Sequence, residues 1–442
     1  MKREKKFRFP VLAAGLFFVF ISCAGGPEAY IPIDDGVRTG SYDKALASIN
    51  NEKGKARKTI YTSKNEILLY LDRGMINHYA GFFRDSSRDL EHAERLIEEA
   101  FTKSISQEVG SYILNDNVKE YSGEDYEDLY INVFNSLNYY HSGDLEGALV
   151  EIRRLNEKLM YLADKYERAR QKVLDSNSQI NPGQLPMEAS RFSNSALARY
   201  LGMLFYRSTG RDDSARIDYE ELKRAYDLAP GVYTNRIPSS VEEERSVPDG
   251  MGRLNVIAFA GLSPVKEEEN LLIPLPLPSP NNIARLSFPR MVSRPQAVQR
   301  AEAVLDSGQR FPLELIEDMG AVARETFKSR RGLVILKATA RSIAKATTSS
   351  IAAHAAGRQG GEGLGSLVGF LGLLFNVASE QADTRLSRYF PSHALVGGIN
   401  LQSGNYVVTV NFYGSGGLLY SGRKEITVRE GTLNLEEFIC LK

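Results

Sequence analysis

From about Ser41 to Pro230 apolar residues recur at intervals of three and four, the period of helices that bury one face. Inside this stretch a short pattern returns as Gly40-Ser41-Tyr42-Asp43-Lys44-Ala45, Asp89-Leu90-Glu91-His92-Ala93, Gly143-Asp144-Leu145-Glu146-Gly147-Ala148 and Gly210-Arg211-Asp212-Asp213-Ser214-Ala215. Each has the form of the turn and second-helix start of a tetratricopeptide (TPR) repeat. Around the third copy the match extends to Tyr139, Ile152 and Leu155, and around the fourth to Gly202, Phe205, Tyr219, Leu222 and Pro230. In these second helices the alanine and the next two apolar residues fall at i, i+4 and i+7, on one face. The alanines Ala45, Ala93, Ala148 and Ala215 lie farther apart than the roughly 34 residues of a standard repeat, so extra helices or connections separate the pairs. A single pair cannot bury its apolar face, and the reading is one irregular TPR-like array over 41–230, stabilised by stacking.

The pattern changes after Pro230. Residues 231–251 hold Gly231, Pro238, Ser239, Ser240, Pro248 and Gly250 with the acidic triplet Glu242-Glu243-Glu244, and read as a linker or long surface loop. Beyond it Leu254 to Phe259, Asn270 to Ile273 and Ile283 to Phe288 read as strands. So do Ala394 to Ile399, Asn405 to Tyr413, Leu418 to Ser421 and Glu425 to Arg429, with Gly414-Ser415-Gly416-Gly417 as a hairpin turn. Between the two groups a helical insertion, about 312–388, starts with Pro312 at the first helical position, continues through Leu333 to Ala356, breaks at Gly357 to Gly363 and returns as a second helix to about Arg388. The expected fold is α+β: an N-terminal irregular TPR-like array, then over 252–442 a small antiparallel β-sandwich with an inserted helical hairpin.

The first residues change the picture of where this fold resides. Lys2, Arg3, Lys5, Lys6 and Arg8 precede an apolar run from Phe9 to Ile21, a signal-peptide length over 1–22 that is too short to span a bilayer. The run closes on Phe20-Ile21-Ser22-Cys23-Ala24, which resembles a bacterial lipobox, with Phe20 where leucine is usual and Cys23 as the lipidated residue. Residues 23–40 are then a tether. If Cys23 carries lipid, the other cysteine, Cys440, has no intramolecular partner, and the exported chain folds without a disulfide. Removing 1–22 takes the basic count from 55 to 50 and the acidic count from 55 to 54, a net charge of −4 that points to no nucleic-acid partner.

Candidate chemistry is sparse. Leu364 to Ala378 is apolar and glycine-rich, and Gly365 and Gly369 make a small-xxx-small ridge flanked by Phe370 and Leu373. It suits close packing against the alanine-rich helix before it, or insertion into a membrane. Glu380, Asp383 and Arg385 follow, the first choice for a polar site, though ion pairs that finish a helix account for them as well. His78, His92, His141, His354 and His393 show no metal-ligand spacing, and the glycines near Gly357 to Gly365 lack the lysine and hydroxyl of a phosphate loop. No catalytic, metal or cofactor residues can be named.

Taken with the lipobox, the irregular repeats and Ser263-Pro264-Val265-Lys266, the Gly143 to Arg154 segment (GDLEGALVEIRR) and Glu380 to Arg385 (EQADTR) carry a resemblance of most of the chain to a family of uncharacterised bacterial TPR-like lipoproteins. The resemblance implies the two-part architecture and no activity. The expected function is a non-enzymatic, lipid-anchored scaffold or adaptor that binds another envelope protein through the concave surface of its array. Its place is the outer membrane, facing the periplasm, with the lipid anchor as the membrane contact. The alternative is a membrane-active or self-assembling protein that uses 364–378.

Overall fold

The fold is taken from a computed structural model that describes residues 27–106, 120–177, 180–274, 283–360 and 382–442. Nine helices form the first part: α1 (Ile31–Arg38), α2 (Tyr42–Asn50), α3 (Lys55–Thr59), α4 (Glu66–Tyr79), α5 (Phe83–Ser106), α6 (Asp125–His141), α7 (Leu145–Asp175), α8 (Ala196–Ser208) and α9 (Asp212–Leu228), counted among the described residues. Four neighbouring pairs, α1–α2, α4–α5, α6–α7 and α8–α9, pack side by side across tight turns. Each turn holds a glycine in the left-handed region, Gly40 (φ 72°), Gly81 (φ 80°), Gly143 (φ 81°) and Gly210 (φ 69°). A side chain there would meet no neighbour, so conformation and not space requires glycine. Ala45, Ala148 and Ala215 sit buried five residues after three of these glycines. In the second pair the turn is at Gly81 and the corresponding small residue is Ser86, also buried. Ala93 lies seven residues further along α5, two turns on and on the same face, which is why the stretch around it carries the same pattern.

The remaining elements are α10 (Ser239–Glu243), β1 (Gly252–Leu262), β2 (Val265–Pro274), β3 (Ile283–Val292), β4 (Arg300–Leu305), β5 (Arg310–Asp318), α11 (Met319–Gly360), β6 (Pro391–Leu401), β7 (Gly404–Gly414), β8 (Gly417–Val428) and β9 (Asn434–Cys440). Seven strands form one sheet in the order β8-β7-β4-β5-β6-β1-β9, and β2 and β3 pair separately. The sheet is antiparallel except that β1 and β9 run parallel. It rolls nearly into a barrel. Its edge strands meet where Lys424 of β8 reaches Glu436 of β9 (3.1 Å), and where a Cβ on Gly422 would stand 2.9 Å from the Phe438 ring.

Strand alternation sorts side chains into two cores. Leu254, Val256, Ala258 and Ala260 of β1 point into the barrel with Val408, Val410 and Phe412 of β7 and Phe438 and Cys440 of β9. Ile257 and Phe259 of β1, Val396 of β6 and Leu435 of β9 point outward into one continuous core with the helices. Phe134 of α6 meets Phe259 at 5.0 Å and Phe390 at 6.0 Å between ring centroids, and each such ring removed from water contributes about 1.5–3 kcal/mol. A third, smaller core joins Val173 of α7, Phe288 of β3 and Ile335, Leu336 and Ile343 of α11.

These facts overturn the antiparallel sandwich standing after a helical array. The sheet is mixed and nearly closed, and the helices are layered on its outer face. The physical reason lies in β1: it is buried on both faces, so it shows no alternation from which a partner could be inferred, and its parallel neighbour arrives from the far end of the chain. Leu418 to Ser421 and Glu425 to Val428 fall in one strand, β8, with Arg429 just beyond it, and Gly414 and Gly417 do close the β7–β8 hairpin. Pro312 does not open a helix. It lies in β5 opposite Glu302 of β4, before the pairing of β5 with β6 begins at Glu314, so its missing N–H costs no ladder bond on the β6 side. The helix starts at Met319 instead. Residues 382–390 are not helical, so the second helix does not reach Arg388. The stretch read as a linker also packs: Val232, Tyr233 and Val241 are buried, and buried Glu244 bonds Arg207 and Arg253.

Candidate functional site

Helix α6 is buried almost all the way round, between α5 and α7 on one side and the sheet on the other, yet carries Asp125, Glu127, Asn132, Asn135 and Asn138. Such groups are tolerated in a core only when bonded. Asp125 and Asn132 are bonded within the helical layer, to Lys165 and Tyr166 and to Glu94 and Glu151, whereas Glu127 reaches Ser387 before β6 and Asn138 supports His78 against β9. Three carboxylate centres stand out.

The first grips an extended strap, residues 382–390, that leads into β6. Asp72 of α4 accepts from Ser387 Oγ (2.7 Å), Arg388 N–H (3.0 Å) and Tyr61 O–H (2.8 Å). Glu127 of α6 accepts from Ser387 N–H (2.7 Å), Tyr121 O–H (2.7 Å) and Glu124 N–H (2.8 Å). The last bond completes a capping box at the start of α6. The strap's Arg388 binds Asp34 of α1 (2.7 Å) and lies over the Tyr30 ring, while the Tyr389 carbonyl accepts from Tyr79 O–H (2.6 Å). Burial pushes Asp72 up to about 6, and burial with the neighbouring Glu124 charge pushes Glu127 up to about 7.

The second centre is Glu437 of β9. Its Oε2 lies 3.0 Å from His78 Nε2 and its Oε1 2.5 Å from His141 Nε2. His78 Nδ1 lies 2.7 Å from Asn138 Oδ1, and Asn138 Nδ2 donates to Ser86 Oγ (2.9 Å). Both His78 nitrogens therefore face oxygens, one of the Glu437 carboxylate and one of the Asn138 amide. Burial acts to raise the Glu437 carboxyl, but the two histidines outweigh it and hold the group well below the usual carboxylate range.

The third is Glu317, at a bulge in β5. It accepts from Tyr130 O–H (2.8 Å), Ser195 Oγ (2.9 Å), Tyr233 O–H (2.6 Å) and Leu197 N–H (3.3 Å), at the start of α8. Among the described residues no cation touches it, and burial raises it.

Of the sequence candidates, Asp383 and Arg385 come together. Arg385 Nε and Nη2 bind the two Asp383 oxygens (2.8 and 2.7 Å), its Nη1 reaches Asn65 (3.0 Å), and the pair stands in the strap. Burial tends to raise Asp383, but Arg385 and Lys266 lower it overall. Cys23, the helix-packing candidates Gly365, Gly369, Phe370 and Leu373, and Glu380 lie outside the described residues. Sequence reasoning missed Asp72, Glu127, Glu317 and Glu437. One signal was present: Asp72 interrupts the apolar face Leu68, Met75, Ile76, Tyr79, a charged residue in a core stripe.

Ser387 and Ser195 are closed off from solvent, with their hydroxyls engaged by carboxylates, so these centres hold segments together and offer no accessible nucleophile. Among the described residues no group of three or more His, Cys, Asp or Glu is placed to hold a metal, and no helix is long and apolar enough to cross a membrane. A surface cavity of about 260 Å³ beside α11 is lined by Arg290, Arg324, Lys328 and Arg331, each facing a carboxylate of its own. No family model, curated protein or solved structure matches the chain.

Proposed function

We propose that the protein is a lipid-anchored cell-envelope scaffold or adaptor, held by Cys23 and docking another envelope protein through the outward face of its helical layer. The observation that carries the choice of face is the burial of the opposite one: the side of α4 and α6 turned to the sheet is filled by β1, β9 and the strap. Outward, the 31-residue α7 leaves Val150 (44% exposed), Met160 (74%) and Tyr161 (62%) in solvent. Exposed methionine and tyrosine are residue types enriched in the centres of protein interfaces.

A photo-crosslinking residue at Met160 or Tyr161, expressed in the native envelope, is expected to capture a discrete partner that the same residue at Leu418 on the barrel does not. Capture of no partner from α7, or an identical set from both positions, would count against the reading. Loss of membrane association in a Cys23→Ala protein tests the anchor separately.

A further inference from the structure

Among the described residues, four acids in and around the strap have cations, and two that bond it do not. Asp34 has Arg388, Glu124 has Lys266 and Arg330, Asp125 has Lys165, and Asp383 has Arg385. Asp72 and Glu127, both fully buried, are bonded by hydroxyl and backbone donors only. They approach the same residue from different helices, Asp72 from α4 and Glu127 from α6, and close on the side chain and backbone of Ser387. Removing two carboxylates from water without counter-charges is costly when they are ionised and far less so when they hold protons.

We propose that residues 382–388 are a proton-dependent latch, which docks on α4 and α6 while Asp72 and Glu127 hold protons and opens as they ionise. Docking traps protons because it excludes the water that would solvate the charges. The shifts of Asp72 to about 6 and Glu127 to about 7 put the change in the mildly acidic to neutral range.

Burial favours this sign at both acids and the Glu124 charge adds to it at Glu127, outweighing the hydrogen-bond donors at each and the Arg388 charge at Asp72. Asp34 and Tyr30 of α1, Tyr61, and Arg388 and Tyr389 of the strap face Asp72. Glu124, Tyr121 and Tyr126 face Glu127, with Lys266 of β2 and Arg330 of α11 engaged by Glu124. Arg294, between β3 and β4, donates to the Arg388 carbonyl (2.5 Å) and to the Ser263 carbonyl (2.6 Å). Arg388 opposes ionic repulsion at Asp72 only in part, because its guanidinium is bonded to Asp34. Opening need not unravel the rest. Tyr389 and Phe390 stay anchored in the core, α11 keeps Arg331 on Glu269 (2.6 Å), and β6 keeps its pairing with β1.

The experiment is hydrogen exchange of the full chain at pH 5.5 and pH 8, corrected for intrinsic chemistry, read at the Ser387 and Arg388 amides with the β7 amides 404–414 as reference. Opening of the strap is expected to rise by at least about tenfold at pH 8 while β7 stays constant, and trypsin cleavage after Arg385 and Arg388 at pH 8 is expected to precede cleavage in the sheet. The double variant Asp72→Asn with Glu127→Gln, which keeps one acceptor oxygen in each side chain but cannot ionise, is expected to lose the pH dependence. Equal protection at both pH values, greater opening at pH 5.5, or an unchanged slope in the double variant would overturn the latch. Should the double variant lose β7 protection, Glu127→Gln alone decides: the slope must fall, and an unchanged slope rejects the proposal.

Discussion

Glu437 and Glu317 make the same kind of connection by opposite electrostatics. Both are buried acids on strands of the barrel, both reach into the helical layer, and both satisfy two carboxylate oxygens there. Glu437 meets His78 and His141 and is held ionised, whereas Glu317 meets tyrosines, a serine and a backbone amide and is driven toward its protonated form. The difference teaches that the charge of a core acid is a balance: the two histidines outweigh burial at Glu437, while burial outweighs the hydroxyl and amide donors at Glu317, and the winner sets the direction in which pH moves stability. A carboxyl held low contributes stability above its ordinary value of 4.5 that is lost as pH falls through its folded value. One held high contributes most below 4.5 and loses that contribution as pH rises through its folded value.

The largest effect is expected from Glu437→Gln. It removes the carboxylate that both His78 and His141 contact, and breaking a buried pair in this way costs about 3–5 kcal/mol. Urea unfolding at pH 7 measures it. A loss below about 1 kcal/mol would mean that the contacts with His78 and His141 do not hold this carboxylate low, and the contrast with Glu317 would collapse.

Glu317→Gln comes next. The amide nitrogen cannot accept from Tyr130, Tyr233 or Ser195, so at least one buried hydroxyl loses its acceptor, at a cost of about 1–3 kcal/mol. The pH profile separates this site from the first. As pH rises above the ordinary 4.5 of Glu317, wild-type stability includes a growing penalty for ionising it, which the variant lacks, so the deficit of the variant shrinks toward alkaline pH. A deficit that grows with pH would reverse the assignment.

Much of this was legible in advance and some could not have been. The strands Asn405 to Tyr413 and Leu254 to Phe259 stand out through β-branched and aromatic runs, and the turn glycines Gly40, Gly143 and Gly210 announce helix pairs. Those signals are local. The pairing of β9 with β1 and the meeting of Glu437 with His78, 359 residues earlier, are long-range, and nothing in a window of residues encodes them. The segment 310–318 fails for a related reason. Pro312 after a polar turn fits a helix start as well as a strand whose neighbour begins later, and only the sheet decides between them. Asp72, Glu127, Glu317 and Glu437 were passed over because a core carboxylate and a surface one look alike until their partners are placed.

A smaller effect tests the division of labour at Glu437. His141 is partly exposed and its ring stacks on Phe83, 4.5 Å between centroids and 16° between planes. His141→Phe keeps the stacking and removes one of two donors to Glu437, and is expected to cost about 1 kcal/mol in urea unfolding. The cost is expected to be clearly smaller than for His78→Phe, which also strips Asn138 of its partner.

The smallest number expected is the most discriminating for the comparison itself. Glu437 and Glu317 share no bonding partner: one is tied to α4 and the end of α6, the other to Tyr130 nearer the start of α6, to the start of α8 and to Tyr233. If the helical layer rests on the barrel through independent contacts, the losses in the double variant Glu437→Gln with Glu317→Gln add to within about 0.5 kcal/mol. If α6 instead transmits strain from one contact to the other, the double variant departs from additivity by about 1 kcal/mol or more, because its polar core residues Asn132, Asn135 and Asn138 lie between the two ends. The cycle, run at pH 7 by urea unfolding, therefore decides whether α6 is a passive spacer or the element through which the two junctions sense each other.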